Sequence, residues 1–376
     1  MNNNNFDVYM DIGSSKIRAA VFSKDNTENN FQVEKNCLSN FNKDTFDLSS
    51  TETIIEKIIL EIEDKSKEYL NNIDLMLDST EVFSIGLSLR KNLDGSKLKK
   101  EEVQFLIQDA KQQILRNYSD KDIIHIIINN YKINNTDYDY LPSNIKCNFI
   151  ALDVLFICLP RETIEYFKNI FYKFDISVNQ IICSSYTKAK NYEEGITYNK
   201  NISFIDIGFN KTSIITFNNN KISCLNVLPI GGNHITKDIS KVLKIDLQQA
   251  ENIKIDFDKK KKLLNNQYFS QEFLQKIIFA RSEEILKMCA QSIKLNSISV
   301  NPFKVVLMGQ GSKILINKND YKIFIKHDLN LLEVKTQDIC AAGFTLGIDL
   351  NRQEVTVVAK KPIKKGFFEK FFHFFD

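Results

Sequence analysis

Two apolar periodicities alternate along the chain. Short, mostly apolar runs at residues 8–10, 17–22, 202–205 and 304–308 suit buried strands. Within residues 51–70, by contrast, Ile54, Ile55, Ile58, Ile59 and Ile62 recur at helical spacing, with Glu52, Glu56, Glu61, Glu63 and Lys65 on the wet face. The same reading predicts strands at 31–36, 82–89, 123–128, 149–158 and 221–228. It predicts helices at 99–116, 161–172, 235–243, 247–253 and 270–294, and a small-residue helix within 338–350 carrying Ala341, Ala342, Gly343 and Gly347. Strands and helices interleave, so the class is α/β.

One phrase is written twice: Asp11-Ile12-Gly13-Ser14-Ser15-Lys16 and Asp206-Ile207-Gly208-Phe209-Asn210-Lys211-Thr212. Each lies between two strand-like runs, which predicts a hairpin tip and not the start of a helix. Glycine at such a tip lets the backbone approach a ligand, and successive peptide N–H groups form an anion-binding concavity. The preceding aspartate suits a magnesium ion or its water shell, because that ion takes oxygen ligands and keeps several waters. Singly, each tip reads equally as an ordinary turn whose aspartate bonds locally. As a pair they predict two loops clamping a polyphosphate from both sides.

Composition narrows the class. A chain of 376 residues exceeds one core, so two or more cores and a cleft are expected. Its 43% hydrophobic and 26% charged residues are those of a soluble globular protein, and a net charge of +3 is too small to imply nucleic acid. Seven cysteines without a Cys-x-x-Cys pair suit reduced thiols and a cytosolic compartment, and the four histidines lack zinc-ligand spacing. No stretch reaches the ~20 apolar residues of a membrane span, and residues 1–7 lack a secretion signal. The run Lys259-Lys260-Lys261-Lys262 reads as a solvated loop.

Two hairpin loops, each opening one half of the chain, and a strand ending in Gly309-Gln310-Gly311-Ser312 resemble the actin/Hsp70/sugar-kinase ATPase superfamily. More narrowly, Pro229-Ile230-Gly231-Gly232-Asn233-His234-Ile235-Thr236-Lys237-Asp238-Ile239 with Ala250-Glu251-Asn252-Ile253-Lys254 is similar to the bacterial cell-division family FtsA. The resemblance implies a duplicated, ribonuclease H-like fold with two large lobes around a nucleotide cleft and the extra subdomain of that family. It assigns 6–82 with 159–192 and 338–357 to the first core subdomain, and 83–158 to the insert. It assigns 193–230 with 300–337 to the second core subdomain, and 231–299 to a small one that binds FtsZ.

It also implies ATP and Mg2+ as cofactors. Asp11, Gly13, Ser14, Ser15 and Lys16 would meet phosphates and metal from one loop, and Asp206, Gly208, Lys211 and Thr212 from the other, with Asp11 and Asp206 holding the metal through water. Gly231, Gly232 and Asn233 belong to the same nucleotide set, Glu251 and Lys254 would contact the ribose, and Gly309, Gly311 and Ser312 would pass beside the adenosine. Glu251 and Lys254 read equally as a surface ion pair. The family's second loop has glycines where this chain has Phe209 and Asn210, and its adenosine loop has glycine where this chain has Gln310. Added bulk and a φ preference where backbone meets phosphate predict weakened nucleotide binding and at most weak ATP hydrolysis.

Lys360-Lys361-Pro362-Ile363-Lys364-Lys365-Gly366 leads into ten residues rich in phenylalanine. On a helix, Phe367, Phe368, Phe371, Phe372, Phe374 and Phe375 fall within an arc of roughly 160°, opposite Glu369, Lys370 and His373. With Lys364, Lys365 and Lys370 this predicts a 358–376 linker and amphipathic helix lying on an anionic membrane, the alternative being a helix docked on the protein's own core. The implied protein anchors FtsZ filaments, through the FtsZ C-terminal tail, to the cytoplasmic face of the bacterial plasma membrane at the division site. It also assembles with itself and works with other divisome proteins. Arg281, Lys287 and Lys294 are candidates for the acidic FtsZ tail, or are solvated helix charges. The competing readings are a pilus-assembly protein of PilM type and a small-molecule kinase of the same superfamily.

Overall fold

The computed structural model of the chain describes residues 5–23, 29–37, 48–142, 145–193, 201–258, 269–296, 304–315, 328–331 and 336–348. The amphipathic segment with Lys364, Lys365 and Phe367 to Phe375, and the lysine run at 259–262, lie outside them.

Three antiparallel strands open the fold: β1 (Phe6–Ile12), β2 (Lys16–Ser23) and β3 (Asn29–Asn36). After helix α1 (Leu48–Ser66), β4 (Asn72–Leu77) pairs in parallel with β1, and β9 (Ser177–Cys183) pairs in parallel with β4. The resulting order is β3-β2-β1-β4-β9. The second half repeats it: β10 (Asn201–Ile207), β11 (Thr212–Asn218) and β12 (Lys221–Leu228) form the meander, with β13 (Lys304–Met308) and β14 (Asp328–Leu331) parallel beyond β10. Both sheets are covered on two faces, which is why β1 and β10 read as apolar runs.

Alternation along β1 divides its side chains between those faces. Val8, Met10 and Ile12 join Ile55, Ile58 and Ile62 of α1 and Phe167, Ile170 and Phe171 of α3 (Arg161–Tyr172) in the largest core. Tyr9 faces the other way, onto Phe22, Met76 and Cys340, where Phe344 of α8 (Thr336–Ile348) stacks on Phe22 at 4.3 Å. Asp11 shares that second face by the same alternation. Helix α1 ends at Ser66, short of the 51–70 segment but past its last isoleucine, because Lys67 turns left-handed at φ 59° while its N–H still bonds Glu63 O.

Between β4 and β9 the chain builds β5 (Phe83–Asn92), α2 (Lys100–Asn117), β6 (Lys121–Ile133), β7 (Thr136–Tyr138) and β8 (Phe149–Pro160). Its sheet, β5-β8-β6-β7, continues the second sheet from β12 through the pair Asn226–Phe83. Strand β8 is buried on both sides: Val154, Phe156 and Cys158 pack under α2, and Leu155, Ile157 and Leu159 enter the main core.

Helices α5 (Gly232–Leu243), α6 (Leu247–Asp258) and α7 (Gln271–Asn296) cover the outer face of β10, β11 and β13 around Ile235, Ile239, Leu274, Ile278 and Ile285. Asp246 Oδ1 accepts the Gln249 N–H at 2.8 Å and so caps α6. Strands β4 and β9 and helix α4 (Ser184–Glu193) are not predicted from periodicity; α4 runs on directly from β9 and packs on β10, β11 and α8.

Candidate functional site

The two repeated phrases close as equal four-residue loops. Ile12 pairs with Ile17 and the Gly13 N–H bonds Lys16 O at 3.0 Å; Ile207 pairs with Thr212 and the Gly208 N–H bonds Lys211 O at 2.9 Å. Phe209 and Asn210 do not strain the second loop, since neither has a positive φ. Gly13 is required for space, since an added Cβ would stand 2.7 Å from Lys16 O; at Gly208 the fit is tight, with Lys211 O 3.0 Å from an added Cβ.

Backbone surrounds the second loop. The N–H groups of Gly232 and Asn233, in the first turn of α5, donate to Gly208 O at 2.9 Å and Phe209 O at 2.7 Å. A Cβ on Gly231 would lie 2.7 Å from both of those oxygens, one on Gly311 2.9 Å from Ile207 O, and one on Gly309 2.3 Å from Asp206 Oδ1. Gly309 also holds φ +89°, where only glycine is at ease. Asp206, Gly208, Gly231, Gly232, Asn233, Gly309 and Gly311 are thus brought into one cradle.

Glu251 and Lys254 belong to it, but as an internal group. Lys254 Nζ reaches Glu251 Oε2 at 2.6 Å, Thr236 Oγ1 at 2.8 Å and Gly232 O at 3.0 Å, and sits 5.7 Å from the Phe209 ring centre. Both residues are buried, so they are not the exposed ion pair that their spacing also allowed. Three predicted phosphate or nucleoside ligands point elsewhere. Lys16 pairs with Glu34 across β2–β3, Thr212 Oγ1 donates to Ile230 O at 2.7 Å, and Ser312 Oγ donates to Gly309 O at 2.7 Å. Ser14 and Ser15 stay half-buried at the first tip, with Ser15 O accepting the Cys37 N–H at 2.7 Å.

Helix α4 supplies the residues that motif reading missed. Ser184 Oγ donates to Asp11 Oδ1 at 2.5 Å, while Arg18 Nη1 reaches Asp11 Oδ2 at 3.4 Å. Asp78, just past β4, accepts Ser185 N–H and Ser185 Oγ at 3.2 Å each. Lys188 Nζ pairs directly with Asp206 Oδ2. Burial works against the Lys188 charge, but attraction to Asp206, Asp11 and Asp78 outweighs it and holds the ammonium above its ordinary pKa. Burial pushes Lys211 the opposite way, below its ordinary value, against the pull of Asp78. Among the described residues Lys211 has no carboxylate within ion-pair reach. An aspartate at the carboxyl end of β4, beside β1, was the available signal for Asp78; Lys188, alone in a polar helix, offered none.

The residues present do not fit a magnesium ion between the loops. Asp206 Oδ2 carries an ammonium, Asp206 Oδ1 is packed on Gly309, and both Asp11 oxygens have protein donors. Among the described residues no three His, Cys, Asp or Glu side chains gather as a metal-ligand set. The basic candidates on α7 are also engaged. Arg281 forks onto Asp238 at 2.6 and 3.0 Å and reaches Glu284 at 2.5 Å, Lys287 pairs with Glu283 at 3.0 Å, and Lys294 lies exposed near the helix end.

A duplicated 3-2-1-4-5 sheet with a hairpin loop on each copy defines the actin-like ATPase fold, and solved structures agree. A chain of the PilM-PilN type IV pilus biogenesis complex matches with TM-score 0.65 at 12% identity, covering 91% of this chain and 98% of that one. The ethanolamine utilization protein EutJ from Carboxydothermus hydrogenoformans matches with TM-score 0.53 at 13% identity, covering 92% and 90%.

Sequence relatives are narrower. The family model described as "Cell division protein FtsA" matches residues 203–272. FtsA of Streptococcus pneumoniae is 22% identical over 324 residues, 81% of this chain and 70% of that protein. FtsA of Bacillus subtilis is 32% identical over 126 residues, 30% and 29%. The chain is thus similar in sequence to FtsA cell-division proteins and has an actin-like fold.

Proposed function

We propose that the chain is a nucleotide-binding cell-division adaptor, not a kinase. ATP lies between the two hairpins, its phosphates on the Gly13 and Gly208 loops and beside Lys211, and the cleft state governs assembly of the chain with itself. The observation that carries this is the backbone cradle around Asp206 to Lys211, in which Gly231, Gly309 and Gly311 leave no room for a side chain. The basic, phenylalanine-rich 364–375 segment then holds the protein on the anionic cytoplasmic face of the plasma membrane, at the division site. FtsZ filaments are held there through their C-terminal tail, together with other divisome proteins. The kinship with FtsA supports this over the PilM reading, because likeness to the PilM-PilN complex concerns the fold alone.

Because Arg281 and Lys287 are already ion-paired, an acidic tail gains little from them by charge alone. Pull-down of the full chain by an FtsZ C-terminal tail peptide, and co-sedimentation with vesicles containing anionic lipid, test the two attachments. The expected result is capture in both, with vesicle binding lost on deletion of 367–376. Failure of the peptide to retain the protein removes the adaptor reading, and equal sedimentation of both forms removes the anchor.

A further inference from the structure

Three carboxylates, Asp11, Asp78 and Asp206, lie around the junction of the two hairpins with α4, and all three are buried. In a fold that holds polyphosphate this is where a divalent cation would neutralise charge. Here the chain supplies cations of its own. Lys188 sits on Asp206 and is held by attraction to Asp11 and Asp78 as well, and Arg18, which also pairs with Glu34, reaches Asp11. A doubly charged ion added at Asp206 would stand against the Lys188 ammonium already seated on that carboxylate. The placement is enforced locally. Ser184 and Ser185 bind Asp11 and Asp78 from the first turn of α4, and Lys188 follows one turn later on the same side.

We propose that Lys188 is a resident counter-ion that takes the place of a divalent metal between the two phosphate loops, so that nucleoside polyphosphate binds this chain without magnesium. This rests on the nucleotide reading given above. Phosphate oxygens would meet Lys188 and Lys211 directly, one from α4 and one from the second hairpin.

The full chain is titrated with ATP by calorimetry in EDTA and in excess magnesium, and its melting temperature is measured under both conditions without nucleotide. For the unsubstituted chain, Kd for ATP is expected to change less than about twofold between the two. In Lys188→Met, binding in EDTA falls at least about tenfold, a difference of about 1.4 kcal/mol, and magnesium restores it. Without nucleotide, magnesium is expected to raise the melting temperature of Lys188→Met and leave that of the unsubstituted chain alone. Lys188→Arg keeps the positive charge and should stay indifferent to magnesium.

A tenfold loss of ATP affinity on EDTA in the unsubstituted chain overturns the inference and leaves the nucleotide reading standing. No ATP binding under either condition overturns the nucleotide reading and, with it, metal-free binding. The nucleotide-free melts then decide the counter-ion role itself, which is refuted if magnesium stabilises the unsubstituted chain as much as the methionine variant.

Discussion

Asn233 donates its side-chain amide to Asn210 Oδ1 at 3.0 Å, and through that bond the first turn of α5 holds the tip of the second hairpin. The bond is buried, so cutting it from either side leaves a desolvated polar group. Asn210→Ala and Asn233→Ala are each expected to lower stability by about 1–3 kcal/mol in denaturant melts. The double variant should cost clearly less than the sum, because both remove the same contact. Strict additivity would show that the pair does not act as a unit.

Among the described glycines, Gly309 would bring an added Cβ closest to a neighbouring atom. Its φ of +89° and the 2.3 Å approach of Asp206 Oδ1 predict that Gly309→Ala costs more than about 2 kcal/mol, or yields insoluble protein. Gly343→Ala is the comparison: its φ is not positive, and an added Cβ meets side chains, Met76 Sδ at 2.7 Å and Tyr9 Cδ1 at 3.0 Å, where Gly309 meets backbone as well. A melting temperature for Gly309→Ala at or above that of Gly343→Ala contradicts this ranking.

Asp74 stands beside Tyr9 across β1–β4, and burial, with the Asp7 charge adding to it, raises its pKa to about 7. A carboxyl that holds its proton longer in the folded chain than in the unfolded one loses stability as pH rises. The window runs from its ordinary value near 3.8 up to about 7, with a slope of at most about 1.4 kcal/mol per pH unit. Unfolding at pH 5 and pH 8 should show the chain weaker at pH 8, and Asp74→Asn should flatten the difference. An unchanged difference in that variant assigns the pH dependence to other groups.

Lys211 gives a paired prediction. Burial disfavours its charge, so Lys211→Met is expected to leave the nucleotide-free chain no less stable while weakening ATP binding at least about tenfold. Melts and calorimetry on the same preparation read both. Loss of stability together with unchanged ATP affinity would assign Lys211 a structural role.

The hairpins were legible in the sequence because a short repeated phrase between apolar runs is a local signal. Strands β4 and β9 were not, since Asp74 interrupts one and Asn179 and Gln180 the other, and their pairing is decided by parallel partners far along the chain. Phe209 and Asn210, which stand where the resembled family has glycines, fit this loop because neither takes a positive φ, and α5 grips the loop carbonyls. Lys16, which the family resemblance offers to the phosphates, pairs in the structure with Glu34 on β3, a relation visible only once the meander is formed. Lys188 was invisible for the converse reason: its meaning comes from Asp206, and no spacing connects them.

Strand β8 gives the segment from β5 to β8 a character that its position as an insertion conceals. Because Leu155, Ile157 and Leu159 line the main core while Val154, Phe156 and Cys158 line the smaller one, the strand is a wall common to two interiors. Such a segment cannot be excised as a cassette or swivel as a loose arm without opening the larger interior to water. Whatever binds its outer surface therefore pushes on the frame that carries the hairpins.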